Sequence, residues 1–453
     1  MKVSQFVATA TTLITGAQVA RCIPLEIDSP DSIKAAASTL AHDMMLYYNG
    51  NKTGGIPGNL PPPYYWWETG AMFGAMIDYW YYTGDATYND VTTQAMLHQV
   101  GPNQDYMTPN QTKTEGNDDQ AFWGLAAMSA AELNYPNPPG DQPQWLALAQ
   151  AVFNTQAPRW DTTTCGGGLK WQIFPFNNGY NYKNSISNGC FFNLGARLAR
   201  YTGNTTYSEW AEKTWDWMLS IKLIDKNYYV YDGSDDLINC TRLNRIQWTY
   251  NAGAMLLGAA TMYNFTNGSA IWEQRTQSLL NATDVFFTAD SGVMFEVACE
   301  NVNRCNVDQQ SFKAYLARWM AATTKAAPFT YDAIMARLKP SAVAAAQQCG
   351  GGDNGRTCGM KWPQNTTWDG SYGVGQQMAA LEVVQSNLIS QSRAPVTNTT
   401  GGTSKGDYSA GGNGDSTELD DHGSSKGDRV GAGFLTTIVL CIFAGVLWWM
   451  IID

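Results

Sequence analysis

Histidine is nearly absent: only His42, His98 and His422 occur in 453 residues, and the last sits in a Ser/Gly-rich tail. A histidine-based zinc centre or a Ser-His-Asp machine would have to be assembled from two scattered residues, which excludes both classes. Basic charge is also short, with 28 Lys+Arg against 39 Asp+Glu and a net charge of -11. Such a chain has no stripe to neutralise a row of phosphates, so nucleic acid is excluded as a partner. Neither a C-x-x-C pair nor an EF-hand spacing is present, so no metal and no cofactor is expected. What is abundant is carboxylate together with 17 Trp and 23 Tyr, and flat amphipathic rings beside acids lean towards carbohydrate chemistry.

The two ends read as processing signals. Residues 1–20 combine Lys2, an apolar stretch over 7–14 and a small-residue site near Ala17 or Ala20, as in a secretory signal. Residues 434–452 form an apolar run the length of a membrane span, and no Lys or Arg follows it. Upstream lie the small trio Gly423-Ser424-Ser425 and a polar spacer, the parts of a GPI-attachment signal, with a single-span anchor as the alternative. The expected organisation is therefore a signal at 1–20, a catalytic domain at 21–389, a flexible Ser/Thr/Gly-rich linker at 390–423 and a removed GPI signal at 424–453. Nine Asn-x-Ser/Thr sequons agree with this route: Asn51, Asn110, Asn204, Asn239, Asn264, Asn267, Asn281, Asn365 and Asn398. Of nine cysteines, Cys441 leaves with the tail, and an even eight in an oxidising compartment suggests disulfides. Cys299–Cys305 and Cys349–Cys358 are the local pairs expected, while the pairing of Cys22, Cys165, Cys190 and Cys240 stays open. The compartment is extracellular, with the membrane as a partner through the lipid anchor.

Between the ends two sets of helical segments alternate. One set, rich in Ala, Gly, Met and aromatics, is expected to be buried, near 69–83, 118–133, 188–202, 251–263, 311–324 and 371–388. The other is amphipathic, near 32–48, 86–99, 144–159, 207–221, 270–287 and 331–348. Tyr82-Thr83-Gly84-Asp85 recurs as Tyr201-Thr202-Gly203-Asn204, where Gly ends a buried helix and Asp/Asn opens the next outer one. No polar capping repeat closes the array, so an all-α (α/α)6 barrel, six hairpins joined in a toroid, is the expected fold, with an open solenoid as the alternative. The outer-to-inner links are long, and in such a toroid all six gather on one face with the N-termini of the inner helices.

That face carries the chemistry. Glu115-Gly116-Asn117-Asp118-Asp119-Gln120-Ala121-Phe122-Trp123 places two adjacent carboxylates at the start of an inner helix. Capping accounts for one acid and leaves the second redundant. Glycoside cleavage needs two carboxyls in different protonation states, and their proximity itself drives the states apart. Asp118 and Asp119 are thus the candidate catalytic pair, and adjacent residues suit the close spacing of a retaining enzyme. Around them the long loops supply Trp66, Trp67, Trp171, Tyr250 and Trp368 to stack on sugars. Asn117, Gln120, Asp308 and the second acidic pair, Asp235 and Asp236, are candidates to bind hydroxyls.

These segments carry a resemblance. Gly116 to Trp123, with Tyr65-Trp66-Trp67-Glu68 and Cys165-Gly166-Gly167-Gly168-Leu169-Lys170-Trp171, resembles glycoside hydrolase family 76, and more closely its fungal GPI-anchored mannan endo-1,6-α-mannosidases of the cell wall. The resemblance spans the mature chain. It implies an (α/α)6 barrel, retaining action on α-1,6-mannosidic links in mannan or a mannose-containing GPI glycan, and no metal. It further implies Asp118 as nucleophile and Asp119 as acid/base. A covalent glycosyl-enzyme can pass its sugar to water or to an acceptor such as wall β-glucan, so hydrolysis and transglycosylation both stay open. A non-catalytic wall lectin using the same aromatic funnel is the alternative from another class.

Overall fold

Among the described residues twelve α-helices alternate in the expected order. The structure, a computed structural model, describes residues 22–364 and 366–412. The signal at 1–20, the acceptor Asn365 and residues 413–453, with the GPI signal, lie outside the described residues. The inner helices are α2 (Trp66–Thr83), α4 (Asn117–Glu132), α6 (Ser185–Thr202), α8 (Thr249–Phe265), α10 (Phe312–Ala326) and α12 (Val374–Gln385). The outer helices are α1 (Pro30–Met45), α3 (Asn89–His98), α5 (Trp145–Gln156), α7 (Thr205–Ser220), α9 (Ala270–Ala282) and α11 (Tyr331–Gln347). Each inner helix packs on the next, and α12 packs back on α2, so the ring is closed and the open solenoid is ruled out.

Local signals account for the element ends. Ser29 caps α1 through its side chain, with Pro30 in the first turn, where a missing N–H loses nothing. Gly84 and Gly203 end α2 and α6 in the left-handed conformation, at φ of 78° and 75°, and so reverse the chain into the next outer helix. Inner helices are buried on nearly every side, which explains their low charge; the core runs as one cluster around the whole ring.

The long loops at the front of the ring are the site's scaffold. They add a small antiparallel sheet to the all-α frame, β1 (Tyr182–Asn184), β2 (Gly233–Asp235) and β3 (Leu243–Asn244). Disulfide Cys165–Cys240 ties the Gly-rich loop to this hairpin, and Cys299–Cys305 and Cys349–Cys358 form as expected. Cys22 and Cys190 are free, so the even count did not mean complete pairing: Cys190 is buried in α6, away from any partner. Of the described sequon asparagines, Asn204 is half-buried and the other seven are exposed. One boundary shifts. The linker expected to be flexible from 390 instead lies against the barrel as far as Gly411, because its backbone groups find partners on α4, α5 and α6. Among the described residues no helix is long and apolar enough to cross a membrane.

Candidate active site

The first turn of α4 is the centre of the front face. Gly116 precedes it in extended conformation and pairs with Gln172, and Asn117 N donates to Trp171 O at 2.9 Å. Trp171 N in turn donates to Tyr182 O at 2.7 Å. A ladder therefore runs from the acidic turn through the Trp171 loop to β1, β2 and β3, and holds five chain segments in register. Gly116 is required by the pair it introduces: a Cβ there would lie 2.4 Å from Asp118 Oδ1 and 3.2 Å from Asp119 Oδ2.

Asp118 and Asp119 both face the cleft. Asp119 Oδ2 accepts the Gly116 N–H at 2.7 Å, whereas Asp118 Oδ1 has no partner. Burial first, and then the neighbouring Asp119 charge, push Asp118 well above the usual carboxylate range. Asp119 is pushed up to about 6, again by burial, with the Gly116 N–H working against it and the Asp308 charge adding to it. The two titrate as a coupled pair, in which ionising one acid raises the other. The Gly116 hydrogen bond favours charge on Asp119, and the Asp119 charge in turn favours the protonated form of Asp118.

Two lobes meet at the pair. One, of about 300 Å³, is lined by Asp118, Phe122, Tyr182, Asp232, Trp248 and Tyr250 among others. The second, of about 570 Å³, is lined by Tyr65, Trp66, Gln111, Glu115, Gln172 and Asn177 among others. Trp67, Asp119, Trp171 and Asp308 belong to both and form the waist. Trp67 Nε1 donates to Asp308 Oδ1 at 3.1 Å, while its ring rests on Phe122 and Tyr315. Trp66 stacks on Trp123 and donates to Gln99 at 2.8 Å, so its indole is fixed at the edge of the larger lobe. Tyr250 stacks on Phe312 at 3.7 Å between centroids.

Of the expected residues, the cleft unites Asp118, Asp119, Trp66, Trp67, Trp171, Tyr250 and Asp308. Five others lie elsewhere. Asn117 is buried and bonded to Lys170 O and Arg159, and Gln120 is buried and bonded to Asp105 O and Thr155, so both brace α4 from behind. Asp236 is buried against Lys170 at 2.5 Å, and Asp235 caps the turn that follows it. Trp368 bonds to Ser371 O and packs on Gly351, outside both lobes. Each of these polar side chains is consumed by a loop or helix terminus, the competing use that sequence cannot separate from binding.

Three acids were missed. Asp232 lines the smaller lobe, held by Tyr182 (2.5 Å), Trp248 (2.9 Å) and Asn244 (3.1 Å). It lies three residues before Asp235, and the pairing of β1 with β2, which no periodicity reveals, brings it inward. Glu68 and Glu115 are 0% and 1% exposed, and none of their carboxylate oxygens has a partner. Burial raises both well above the ordinary value, helped by Asp308 at Glu68 and by Asp119 at Glu115. Their signal was adjacency to the two motifs. Among the described residues no cluster of three or more His, Cys, Asp or Glu is placed to hold a metal.

Comparisons with known proteins agree with this geometry. The model of glycosyl hydrolase family 76 matches residues 32–399. Over 429 residues the chain is 50% identical to mannan endo-1,6-alpha-mannosidase DCW1 of Saccharomyces cerevisiae, covering 94% of this chain and 95% of that protein. The crystal structure of Dfg5 from Chaetomium thermophilum in complex with glucosamine matches with a TM-score of 0.82 at 51% identity, over 85% of this chain and 97% of the other. An inactive variant of the alpha-1,6-mannanase of Salegentibacter sp. HEL1_6, in complex with alpha-1,6-mannotetrose, shares the fold at a TM-score of 0.63 and 19% identity, over 79% of this chain and 98% of the other.

Proposed function

The chain belongs to glycosyl hydrolase family 76, and from that premise we propose that it is a retaining mannan endo-1,6-α-mannosidase working through Asp118 and Asp119. The observation that carries the reading is two adjacent carboxyls in an aromatic cleft, buried together and, among the described residues, in no ion pair. One carboxylate attacks the anomeric carbon of an α-1,6-linked mannose, and its partner donates a proton to the departing O6. The C1–O6 bond breaks as the bond to the carboxylate forms. The partner, now ionised, takes a proton from the incoming hydroxyl as that oxygen displaces the carboxylate, so configuration is retained.

We assign the nucleophile to Asp118 and the acid/base to Asp119, following the family order. The Asp119 charge, which raises Asp118, favours the exchanged order, since the nucleophile must be ionised. An α-mannosyl donor whose leaving group needs no protonation decides between them. The acid/base variant keeps mannosyl-enzyme formation from it, and the nucleophile variant does not. Retention of that step by Asp118→Asn and its loss in Asp119→Asn would reverse the assignment.

The setting we propose is the outer face of the plasma membrane and the cell wall, reached through a signal at 1–20 and a GPI anchor added near residue 423. Release by a phospholipase that cleaves inositol lipids tests the anchor. The substrate is α-1,6-linked mannan or the mannose-containing glycan of a GPI anchor, with wall β-glucan as an acceptor. Offering purified protein an α-1,6-manno-oligosaccharide, with and without glucan, separates hydrolysis from transfer by product mass. Glucosamine belongs among the acceptors tried, since a solved relative holds it. A lectin reading has no use for two coupled buried acids, and the absence of any product would restore it.

A further inference from the structure

Asn117 and Gln120 bracket the two acids, one residue before Asp118 and one after Asp119. Three residues apart on a helix, they share a face, and both side chains are buried on the side turned to the end of α5. A short helical turn, Ala157–Arg159, extends α5, and its last residue sends one nitrogen between the two amides. Arg159 Nη1 donates to Asn117 Oδ1 at 3.0 Å and to Gln120 Oε1 at 2.8 Å. Gln156 Nε2 adds a bond to the backbone carbonyl of Asn117 at 2.6 Å. A guanidinium has donors only, so both amides must turn their oxygens to it and their nitrogens away. Asn117 Nδ2 then donates to Lys170 O at 2.8 Å, beside Trp171 at the waist. Gln120 Nε2 donates to Asp105 O at 2.7 Å, beside Tyr106, whose ring stacks on Trp123 of α4. Flipping either amide would set nitrogen against the guanidinium and oxygen against a carbonyl. One nitrogen therefore decides how two loops are joined to the first turn of α4. Arg159 itself lines neither lobe of the cleft.

We propose that Arg159 is the positioning residue of the catalytic turn: by fixing which way the Asn117 and Gln120 amides face, it sets how that turn sits and so aims Asp118 and Asp119 into the cleft. The inference rests on the reading of those two acids as the catalytic pair. Attack on the anomeric carbon and proton donation to O6 need both carboxyls in place at once, so a small rotation of the turn misplaces the two together. Charge is the rival account of the same residue, and it acts elsewhere. The guanidinium opposes the rise that burial causes at Glu115 and Asp105. Asp118 and Asp119 are set by burial first, and then by Asp119, Asp308 and nearby backbone N–H groups. Removing Arg159 should therefore lower the rate without moving the pH at which the pair ionises.

Arg159→Met keeps an unbranched side chain and removes its donors. On α-1,6-mannotetraose its kcat per folded molecule should fall about 10²-fold, with KM little changed and both limbs of the kcat/KM profile against pH in place. The folded fraction is taken from near-ultraviolet circular dichroism. In a chain already carrying Asn117→Leu and Gln120→Met, the same substitution should lower kcat no further, because the amides through which Arg159 acts are gone. A second loss of that size in this background overturns the proposal. So does a wild-type kcat in Arg159→Met, or a shift of the limbs that accounts for the loss. Should Arg159→Met fail to fold, Arg159→Lys takes its place, since it keeps the charge but ends one bond short of both amide oxygens. Its kcat should still fall about tenfold, and a wild-type kcat there would show that charge suffices and overturn the proposal equally. Wild-type turnover in Asp118→Asn or Asp119→Asn overturns the catalytic reading instead.

Discussion

At the rear of the barrel Glu382 is 0% exposed and receives two hydrogen bonds from Arg318, at 2.9 and 2.7 Å, while Asp78 lies 2.9 Å from the same guanidinium. Glu132 is held in the same way by Arg197 at 2.7 Å. At the front, Glu68 is equally buried and Glu115 nearly so, yet their oxygens have no partner, and among the described residues no ion pair includes Asp118, Asp119 or Asp308. Burial pushes the carboxyls up at both ends; at the rear a paired cation pushes back, while among these front acids Arg159 does so only at Glu115 and without an ion pair. Paired acids lock helices together, whereas unpaired ones keep protons available for chemistry at the expense of stability. The difference predicts opposite outcomes for the same kind of substitution.

The largest effect belongs to the front pair. Asp118→Asn and Asp119→Asn should each lower turnover of α-1,6-mannotetraose by about 10³-fold or more, because nucleophile and proton donor act as a unit. Neither should lower the melting temperature. The sign follows from the raised pKa: the folded state holds the Asp119 proton up to about pH 6, while the unfolded chain releases it near 4. Stability from this group is complete below pH 4 and is lost as pH rises through 6. Asn removes that loss, so at pH 7 the variant should be more stable by on the order of 1 kcal/mol. A clear drop in melting temperature would show that the front acids are structural.

Arg318→Met makes the reverse change at the rear. It strands Glu382 and leaves Asp78 with only the more distant Arg197, and breaking a buried pair in this way costs about 3–5 kcal/mol. Turnover per folded molecule should stay within twofold, read from denaturant titrations beside activity in native buffer. Loss of activity without loss of stability would erase the division between the two ends. A subtler test returns to the front. Gly116→Ala leaves both acids in place but sets a Cβ 2.4 Å from Asp118 Oδ1. Misplacing a reacting group by about 1 Å costs roughly 10²-fold, so turnover should fall by that order with kcat affected more than KM.

What was legible in sequence divides along the same line. The six hairpins follow from periodicity and from glycine signals, since helix burial is written in every third or fourth residue. The Asp118/Asp119 pair stood out because two acids at one helix start exceed what capping needs. Asn117 and Gln120 were misread because the same amides serve a brace as well as a sugar, and only Arg159 and Thr155, distant in sequence, reveal which. Asp232 was passed over for Asp235 and Asp236 because strand register, not residue type, decides which of them faces inward. The rear ion pairs left no sequence signal, as Arg197 and Arg318 lie 65 and 64 residues from Glu132 and Glu382, and Asp78 lies on a different helix again.

Asp308 supplies the smallest and sharpest test of the contrast. Its carboxylate lies at the waist, held by Trp67 Nε1 at 3.1 Å, and its charge raises both Asp118 and Asp119. The groups that face the pair from the surrounding elements are Glu115, itself raised by burial, Asp308, Tyr250 and Cys190. The last two are also raised by burial; Asp308, itself raised by burial against the Trp67 hydrogen bond, is the one among them whose charge acts on both acids. The active form of the pair holds one proton, so activity should rise through about pH 6 as the first proton leaves, and fall again when the second does. Asp308→Asn removes a negative charge, eases ionisation of both acids and should move both limbs of the kcat/KM profile to lower pH with little change in height. Loss of height with the limbs in place would mean that Asp308 binds sugar and leaves the protonation of the pair to burial alone. A shift with height preserved would mean that the front acids tune one another, as Arg318 tunes those at the rear.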